Sequence, residues 1–113
     1  MNLIVRLIKH SNIEDSILIR KRMNGGFVIS YVDGNIPNNA WASPKTDDQL
    51  ILYLERVIYF FKNDVNTFEE ISVSIPGQPV IHMAKKNCND DFISNLMTSI
   101  EEFVYRPSSR FTR

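Results

Sequence analysis

The chain has 113 residues, of which 43% are hydrophobic and 23% are charged, and its formal net charge at pH 7 is zero. These values are typical of one small globular domain and argue against a dedicated polyanion binder, although they allow a local basic patch. The apolar runs are too short to span a bilayer, and the N-terminal segment lacks a small-residue cleavage site, so we expect neither a membrane span nor secretion. Because the single Cys88 cannot form an internal disulfide, the expected compartment is the cytoplasm.

The first predicted element is a strand over residues 2–9. Leu3, Val5 and Leu7 alternate with a second set of residues in which only Arg6 is charged, so both faces of the strand are largely apolar. Such a strand is typical of a central position in a sheet.

A β-hairpin is predicted next, because Asn24-Gly25-Gly26 separates two strand-like segments and Asn-Gly favours the positive φ angles of a tight turn. A two-residue turn at residues 24–25 and one at residues 25–26 give the same pairing parity, which means that both place the same side chains of the two strands on one face. With that parity, one face of the hairpin collects two arginines and two aromatic residues: Arg20, Arg22, Phe27 and Tyr31. Interleaved guanidinium groups and rings can bind nucleic acid or an acidic protein, whereas the alternative is an ordinary exposed sheet face.

Residues 34–45 are predicted to form a Pro-punctuated loop that contains Trp41, and they lead into a helix over residues 46–61. Thr46 and Gln49 fit a capping box at its start. Its apolar residues fall on one face at helical spacing: Leu50, Leu54, Val57, Ile58 and Phe61. Leu52 and Tyr59 instead lie together on the polar back, which indicates a second contact surface or two ordinary exposed apolar residues.

The C-terminal half predicts two further strands and a second helix. The strands cover residues 69–75 and 80–85, and they are joined at Pro76-Gly77, which suits a type II turn. With either a two- or a four-residue turn, His82 would share a face with Ile71 and Val73. The helix follows several candidate N-caps in residues 87–91 and ends at Arg106-Pro107. Its apolar stripe comprises Phe92, Leu96, Met97, Ile100, Phe103 and Val104.

The predicted order is therefore βββαββα, which favours an α+β fold. We expect a two-layer sandwich in which two helices cover one face of an antiparallel sheet of about five strands. Residues 1–106 would form this single domain, and residues 107–113 would be a basic C-terminal tail containing Phe111.

The sequence contains no motif of a known catalytic class. It lacks a glycine-rich phosphate loop, paired-cysteine spacing, an HExxH sequence and a nucleophile elbow. Cys88 and His82 lie close in sequence, but a nucleophilic pair also needs an orienting third group that the sequence does not supply. We therefore expect no enzymatic activity, no cofactor and no metal.

One stretch of the chain resembles a group of viral proteins. Trp41 with Ser43-Pro44 precedes the acidic-capped helix, and Phe68 and the sequence Ile75-Pro76-Gly77-Gln78-Pro79 follow it. This arrangement resembles small uncharacterised proteins of large nucleocytoplasmic DNA viruses. The resemblance implies a viral setting, such as a virion or its assembly, and it carries no catalytic residue. The order of elements is also similar to that of type III secretion chaperones, although those begin with a helix and this chain begins with a predicted strand.

These observations favour a non-catalytic interaction or structural protein, such as a virion or assembly component in the host cytoplasm. The alternatives are a nucleic-acid-binding protein that uses the arginine and aromatic face, and a small secretion-type chaperone. We expect a protein partner or a second copy of the chain, and nucleic acid is the other candidate ligand. The residues expected to contact a protein partner are Trp41, Leu52, Tyr59 and Phe111.

Overall fold

Five antiparallel strands form one sheet in the computed structural model, and two helices pack on one face of that sheet. The structure describes residues 2–9, 12–22, 25–32, 44–63 and 68–106, and of residues 12–15, 31 and 32 it describes the backbone. The predicted α+β class and the order βββαββα are confirmed. The strands are β1 (Asn2–Lys9), β2 (Asn12–Lys21), β3 (Phe27–Val32), β4 (Glu70–Ser74) and β5 (Ile81–Ala84), and the helices are α1 (Asp47–Asn63) and α2 (Asp90–Tyr105).

The strand order across the sheet is β3-β2-β1-β4-β5, so the central position predicted for β1 is confirmed. Side chains that point toward the helices form the floor of the core, where Leu3, Val5 and Leu7 are fully buried. They are joined by alternate residues of the neighbouring strands, namely Ile17, Ile19, Ile71 and Val73.

The first hairpin has a three-residue loop, and this overturns the predicted pairing parity. Lys21 pairs with Phe27. The Arg22 N–H donates to the Gly26 carbonyl at 3.0 Å, and the Gly25 N–H donates to the Arg22 carbonyl at 3.3 Å. Gly25 has φ 94°, the positive value that three-residue hairpin loops need at their last position. Because the loop holds three residues and not two, every side chain of β3 changes face relative to β2.

The second hairpin departs from its predicted parity in the same way. The Gln78 N–H donates to the Ile75 carbonyl at 3.0 Å and Gly77 has φ 84°, as the predicted type II turn requires. However, the pair nearest the turn is Val73 with Ile81, and an odd number of residues, seven, lies between these two partners. The prediction that His82 shares a face with Ile71 and Val73 is therefore wrong.

The apolar face predicted for α1 is confirmed, since Leu50, Leu54, Val57, Ile58 and Phe61 are all fully buried. At the start of the helix the Gln49 N–H donates to Thr46 Oγ1 at 3.2 Å. The Gln49 side chain accepts from the Lys45 N–H at 2.8 Å, one residue before the position that a capping box uses.

Helix α2 begins after Asn89, whose side chain accepts from the Phe92 N–H at 2.8 Å. This hydrogen bond satisfies one of the free amide groups in the first helical turn. The helix ends where Arg106 becomes extended, as predicted. Most of its predicted stripe is buried, together with Ile93, which was not predicted. The buried residues are Ile93, Leu96, Met97, Ile100 and Val104.

Candidate interaction surface

The sheet carries helices on one face, and the described part of the chain leaves the other face uncovered. Side chains on this second face alternate along each strand with the buried ones. We call this surface the open face. Its described members in the middle of the sheet are Ile4, Arg6, Ser16, Leu18, Arg20, Val28, Ser30, Ser72, Ser74 and His82.

An aliphatic pair lies at the centre of the open face. Ile4 on β1 pairs with Leu18 on β2, and both side chains are partly exposed. Val28 on β3 lies diagonally beside Leu18 and is also partly exposed. Side chains in such positions contact one another and form a continuous apolar patch.

Two arginines flank this patch on opposite sides. Arg6 follows Ile4 by two residues on β1, and Arg20 follows Leu18 by two residues on β2. Because β1 and β2 are antiparallel, the guanidinium groups extend from diagonally opposite corners of the Ile4 and Leu18 pair. Arg20 is exposed and Arg6 is partly exposed.

A row of small polar side chains crosses the open face beside Arg6. Arg6 pairs with Ser16 on one side and with Ser72 on the other, and Ser72 pairs in turn with His82. Ser72 is only 2% exposed although it lies on the uncovered face. A serine between two longer side chains is shielded by them, since arginine stems lie along the surface of a sheet.

Charge is distributed unevenly between the two sides of the molecule. Helix α2 has the sequence DDFISNLMTSIEEFVY, with four carboxylates and no lysine, arginine or histidine. The middle of the open face carries Arg6 and Arg20, and Glu70 lies near its end on β4. Among the described residues, helix α2 is therefore acidic, whereas the middle of the open face is basic and aliphatic.

The predicted face of arginines and aromatic residues does not form. Arg20 pairs with Val28 on the open face, whereas Phe27 lies on the helix side, where it packs against the core. By backbone register Tyr31 pairs with Ile17, which also belongs to the helix side. Arg22, which directly follows β2 and precedes the hairpin loop, is exposed. The cause is the three-residue loop, which moves the aromatic residues away from the arginines.

The two residues predicted on the back of α1 have different surroundings. Leu52 is 48% exposed. Tyr59 is partly buried against the core, and its hydroxyl donates to Asp90 Oδ1 on α2 at 3.3 Å. Lys62 Nζ lies 2.8 Å from the same carboxylate oxygen. The side of α1 that carries Leu52 and Tyr59, which was predicted to be its back, therefore lies beside α2.

This contact changes the ionisation of its three members. The hydrogen bond from Lys62 lowers the pKa of Asp90, and the same bond raises the pKa of Lys62. Desolvation raises the pKa of Tyr59, and the charge of Asp90 adds to this effect. The contact lies where the N-terminal end of α2 meets the C-terminal end of α1.

A second polar contact joins the other ends of the two antiparallel helices. The Tyr105 hydroxyl of α2 donates a hydrogen bond to Asp48 Oδ1 of α1. This bond raises the pKa of Tyr105 to about 12, and desolvation and the charge of Asp48 act in the same direction. Leu52 lies one turn after Asp48, so its exposed side chain is located between the two helix contacts.

Two of the predicted partner-binding residues, Trp41 and Phe111, lie outside the described residues. The predicted basic tail over residues 107–113 lies outside them as well.

Cys88 and His82 are on different sides of the sheet. His82 is exposed on the open face, and Cys88 is a buried free thiol whose pKa is raised by burial. Within the described ranges, no group of His, Cys, Asp and Glu side chains could hold a metal ion. Neither α1 nor α2, the helices that the structure describes, is long and apolar enough to cross a bilayer.

Ile4, Arg6 and Leu18 were not among the site residues predicted from the sequence. A signal for Arg6 was present, because a charged residue inside the strand predicted to be central must face a partly hydrated surface. Alternation along β2 places Leu18 on the same face as Arg20, but its pairing with Ile4 could not be identified, since that depends on the register of β2 against β1.

Comparison with protein-family models, curated proteins and solved structures finds no match to this chain.

Proposed function

We propose that this chain is a non-catalytic interaction protein that binds an acidic protein partner through its open face. The observation that carries the proposal is the aliphatic pair of Ile4 and Leu18 between Arg6 and Arg20, on a sheet face that the described residues leave uncovered. Apolar contact would supply the binding energy, and the two guanidinium groups would select a surface with carboxylates.

The size of the open face sets the expected strength of the complex. Strands about 4.8 Å apart that rise about 3.3 Å per residue give five strands of this length an area of roughly 500 Å². Stable complexes bury about 800 Å² per partner. We therefore expect micromolar affinity, unless the partner extends over the edges of the sheet.

Nucleic acid is the less favoured ligand. Sequence-tolerant binding of single strands depends on aromatic side chains on which the bases stack. Among the described residues of the open face there is no phenylalanine, tyrosine or tryptophan. Two arginines without such rings are better suited to the carboxylates of a protein.

The proposed setting is a viral assembly, in the host cytoplasm or in the virion. It is supported by the resemblance of residues 41–79 to proteins of large DNA viruses. An assembly component needs a binding surface and no catalytic group, and the open face meets that requirement.

The test first identifies the partner by crosslinking and then measures the effect of charge reversal on its binding. A photo-crosslinking residue placed at Ser74, on the open face, should capture a protein in cells of the native source, whereas one at the exposed Glu102 of α2 should not. The captured protein is then purified, and its affinity for the chain is measured by calorimetry.

We expect the double change Arg6→Glu and Arg20→Glu to weaken this affinity at least tenfold. Arg56→Glu is the matched control, because Arg56 is exposed on α1 and the substitution reverses one charge away from the sheet. Capture from position 102 only, or an affinity unaffected by the double change, would contradict the proposal.

Fluorescence anisotropy with single-stranded DNA and RNA at low salt tests the other ligand. If binding falls steeply as salt rises and the double change abolishes it, the ligand of the open face is nucleic acid and not an acidic protein.

A further inference from the structure

The two edges of the sheet differ in their protection against further strand pairing. At one edge, β5 has four residues, follows Pro79 and leads into Lys85 and Lys86. Short length, proline and lysine are the usual features that prevent another strand from pairing at an edge.

The other edge has none of these features. Strand β3 has six residues with the sequence FVISYV, which contains no charge, no proline and no glycine. Its composition of β-branched and aromatic residues strongly favours an extended strand. An uncharged edge of this length is a template for pairing with another strand.

The backbone groups available for such pairing can be identified. The Arg22 N–H bonds to the Gly26 carbonyl, so the hydrogen-bonded pairs with β2 continue at every second residue from Val28. The N–H and C=O groups of Phe27, Ile29 and Tyr31 then point outward. Within the described ranges, no backbone hydrogen bond reaches these outward groups.

Apolar side chains are incompletely covered along the same edge. Phe27 and Ile29 pack against the core on the helix side but are only partly buried. A strand added beside β3 would cover the part of each side chain that is exposed at the edge.

We propose that two copies of this chain pair through β3 and form one continuous antiparallel sheet. In the symmetric register, Ile29 lies opposite Ile29 of the second copy, and Phe27 lies opposite Tyr31 of the second copy. This pairing forms about six backbone hydrogen bonds. The contact is two-fold symmetric, as most homodimer interfaces are.

A second copy suits this edge better than a foreign strand. The strand is uncharged, so antiparallel pairing with itself places no like charges opposite each other. Dimerisation through β3 also removes both unprotected edges at once. The joined sheet then ends on both sides at β5, the edge that shortness, proline and lysine protect.

Pairing of two copies through β3 does not use the open face. Ile29 belongs to the helix side of β3, whereas Arg6, Leu18 and Arg20 lie on the opposite side of the sheet.

Light scattering during gel filtration at micromolar concentration tests the dimer. The full chain should elute with twice its mass of 13.1 kDa. Ile29→Lys and Ile29→Glu should each elute as folded monomers, because like charges would meet at the symmetry axis. An equimolar mixture of the two variants should recover the dimer, because a lysine then lies opposite a glutamate.

Ile81→Lys is the matched control. Ile81 is an apolar, partly buried residue on the helix side of the other edge strand, and its replacement should leave the dimer intact. Circular dichroism reports whether each variant is folded.

If the variants fail to fold, hydrogen exchange of the wild-type amides shows whether two copies pair through β3. The outward amides of Phe27, Ile29 and Tyr31 should be protected as strongly as the inward amides of Val28 and Ser30. A monomeric wild type, a mixture that stays monomeric, or rapid exchange at the three outward amides would overturn the proposal.

Discussion

The two faces of the sheet are built from alternate residues of the same strands, yet they have different roles. On the helix side of β1, Leu3, Val5 and Leu7 are fully buried and support the fold. On the open face, Ile4 and Arg6 keep part of their surface exposed, and their proposed role is binding. A shift of one residue in strand pairing exchanges these roles along a whole strand. The number of residues in each hairpin loop therefore determines which side chains are available to a partner.

The comparison predicts that leucines on the two faces differ in their effect on stability. Leu7→Ala should lower the free energy of unfolding by about 2–5 kcal/mol, because the substitution removes buried surface and leaves a cavity. Leu18→Ala on the open face should cost about 1 kcal/mol or less. Urea unfolding of both variants measures the difference.

The same two variants should have the reverse order of effects on the proposed partner. Leu18→Ala should weaken partner binding, and Leu7→Ala should leave it unchanged under conditions where the variant is folded. Equal losses of stability at the two positions would mean that Leu18 is covered, and the assignment of the open face would then be wrong.

Helical spacing made the helices predictable to within two residues at each end. An α-helix has a fixed period, so the positions of Leu50, Leu54 and Phe61 on one face follow from their spacing and do not depend on any neighbouring element. The same holds for the buried stripe of α2. The location of β1 at the centre of the sheet was also predictable, because both of its faces are largely apolar.

The faces of the hairpins were not predictable from the residue types in the turns. Gly25 suits a two-residue turn and also the last position of a three-residue loop, since both require a positive φ angle. A three-residue loop is only one residue longer than a two-residue turn. That one residue places the side chain of Phe27 on the opposite side of the sheet from Arg20. The candidate nucleic-acid surface was predicted wrongly for this reason.

The environment of Tyr59 was unpredictable for a different reason. A helical projection shows which residues share a side of α1, but it gives no information on where α2 lies. Asp90 is 31 residues away in sequence from Tyr59, and their hydrogen bond depends on the antiparallel packing of the two helices.

A smaller effect is expected at the cap of the helix that covers the sheet. Asn89→Ala removes the side-chain acceptor of the Phe92 N–H and should lower the free energy of unfolding by about 1 kcal/mol. Asn95→Ala is the matched control, because Asn95 is exposed inside α2 and alanine favours a helix. Thermal unfolding of the two variants should give a lower midpoint for Asn89→Ala and no decrease for Asn95→Ala.

Asn89→Ala should also leave partner binding by the open face unchanged. A loss of binding in a folded Asn89→Ala sample would show that the partner contacts the helix side of the sheet.

The smallest expected effect concerns the outer surface of the helix side, where Tyr105 donates to Asp48. The pKa of Tyr105 rises from 10.0 to about 12 in the folded chain. The folded state therefore retains a proton that the unfolded state releases between these values. The contribution of this group to stability is present below pH 10 and is lost as the pH rises toward 12. The ultraviolet absorbance of tyrosinate, compared between wild type and Tyr105→Phe, isolates this ionisation from those of the other tyrosines.

Asp48→Asn provides the decisive comparison, because it removes the charged acceptor and keeps a side chain of similar size. In this variant the pKa of Tyr105 should fall toward 10, and the decrease in stability between pH 10 and 12 should become shallower. Tyr105 is half exposed, so water and salt screen the contact and its effect on stability should be far below that of Leu7→Ala. A pKa of Tyr105 that Asp48→Asn leaves unchanged would mean that the hydrogen bond between the helix ends does not persist in solution. The helix layer would then be held over the sheet by its buried apolar face, without a polar contact at this end.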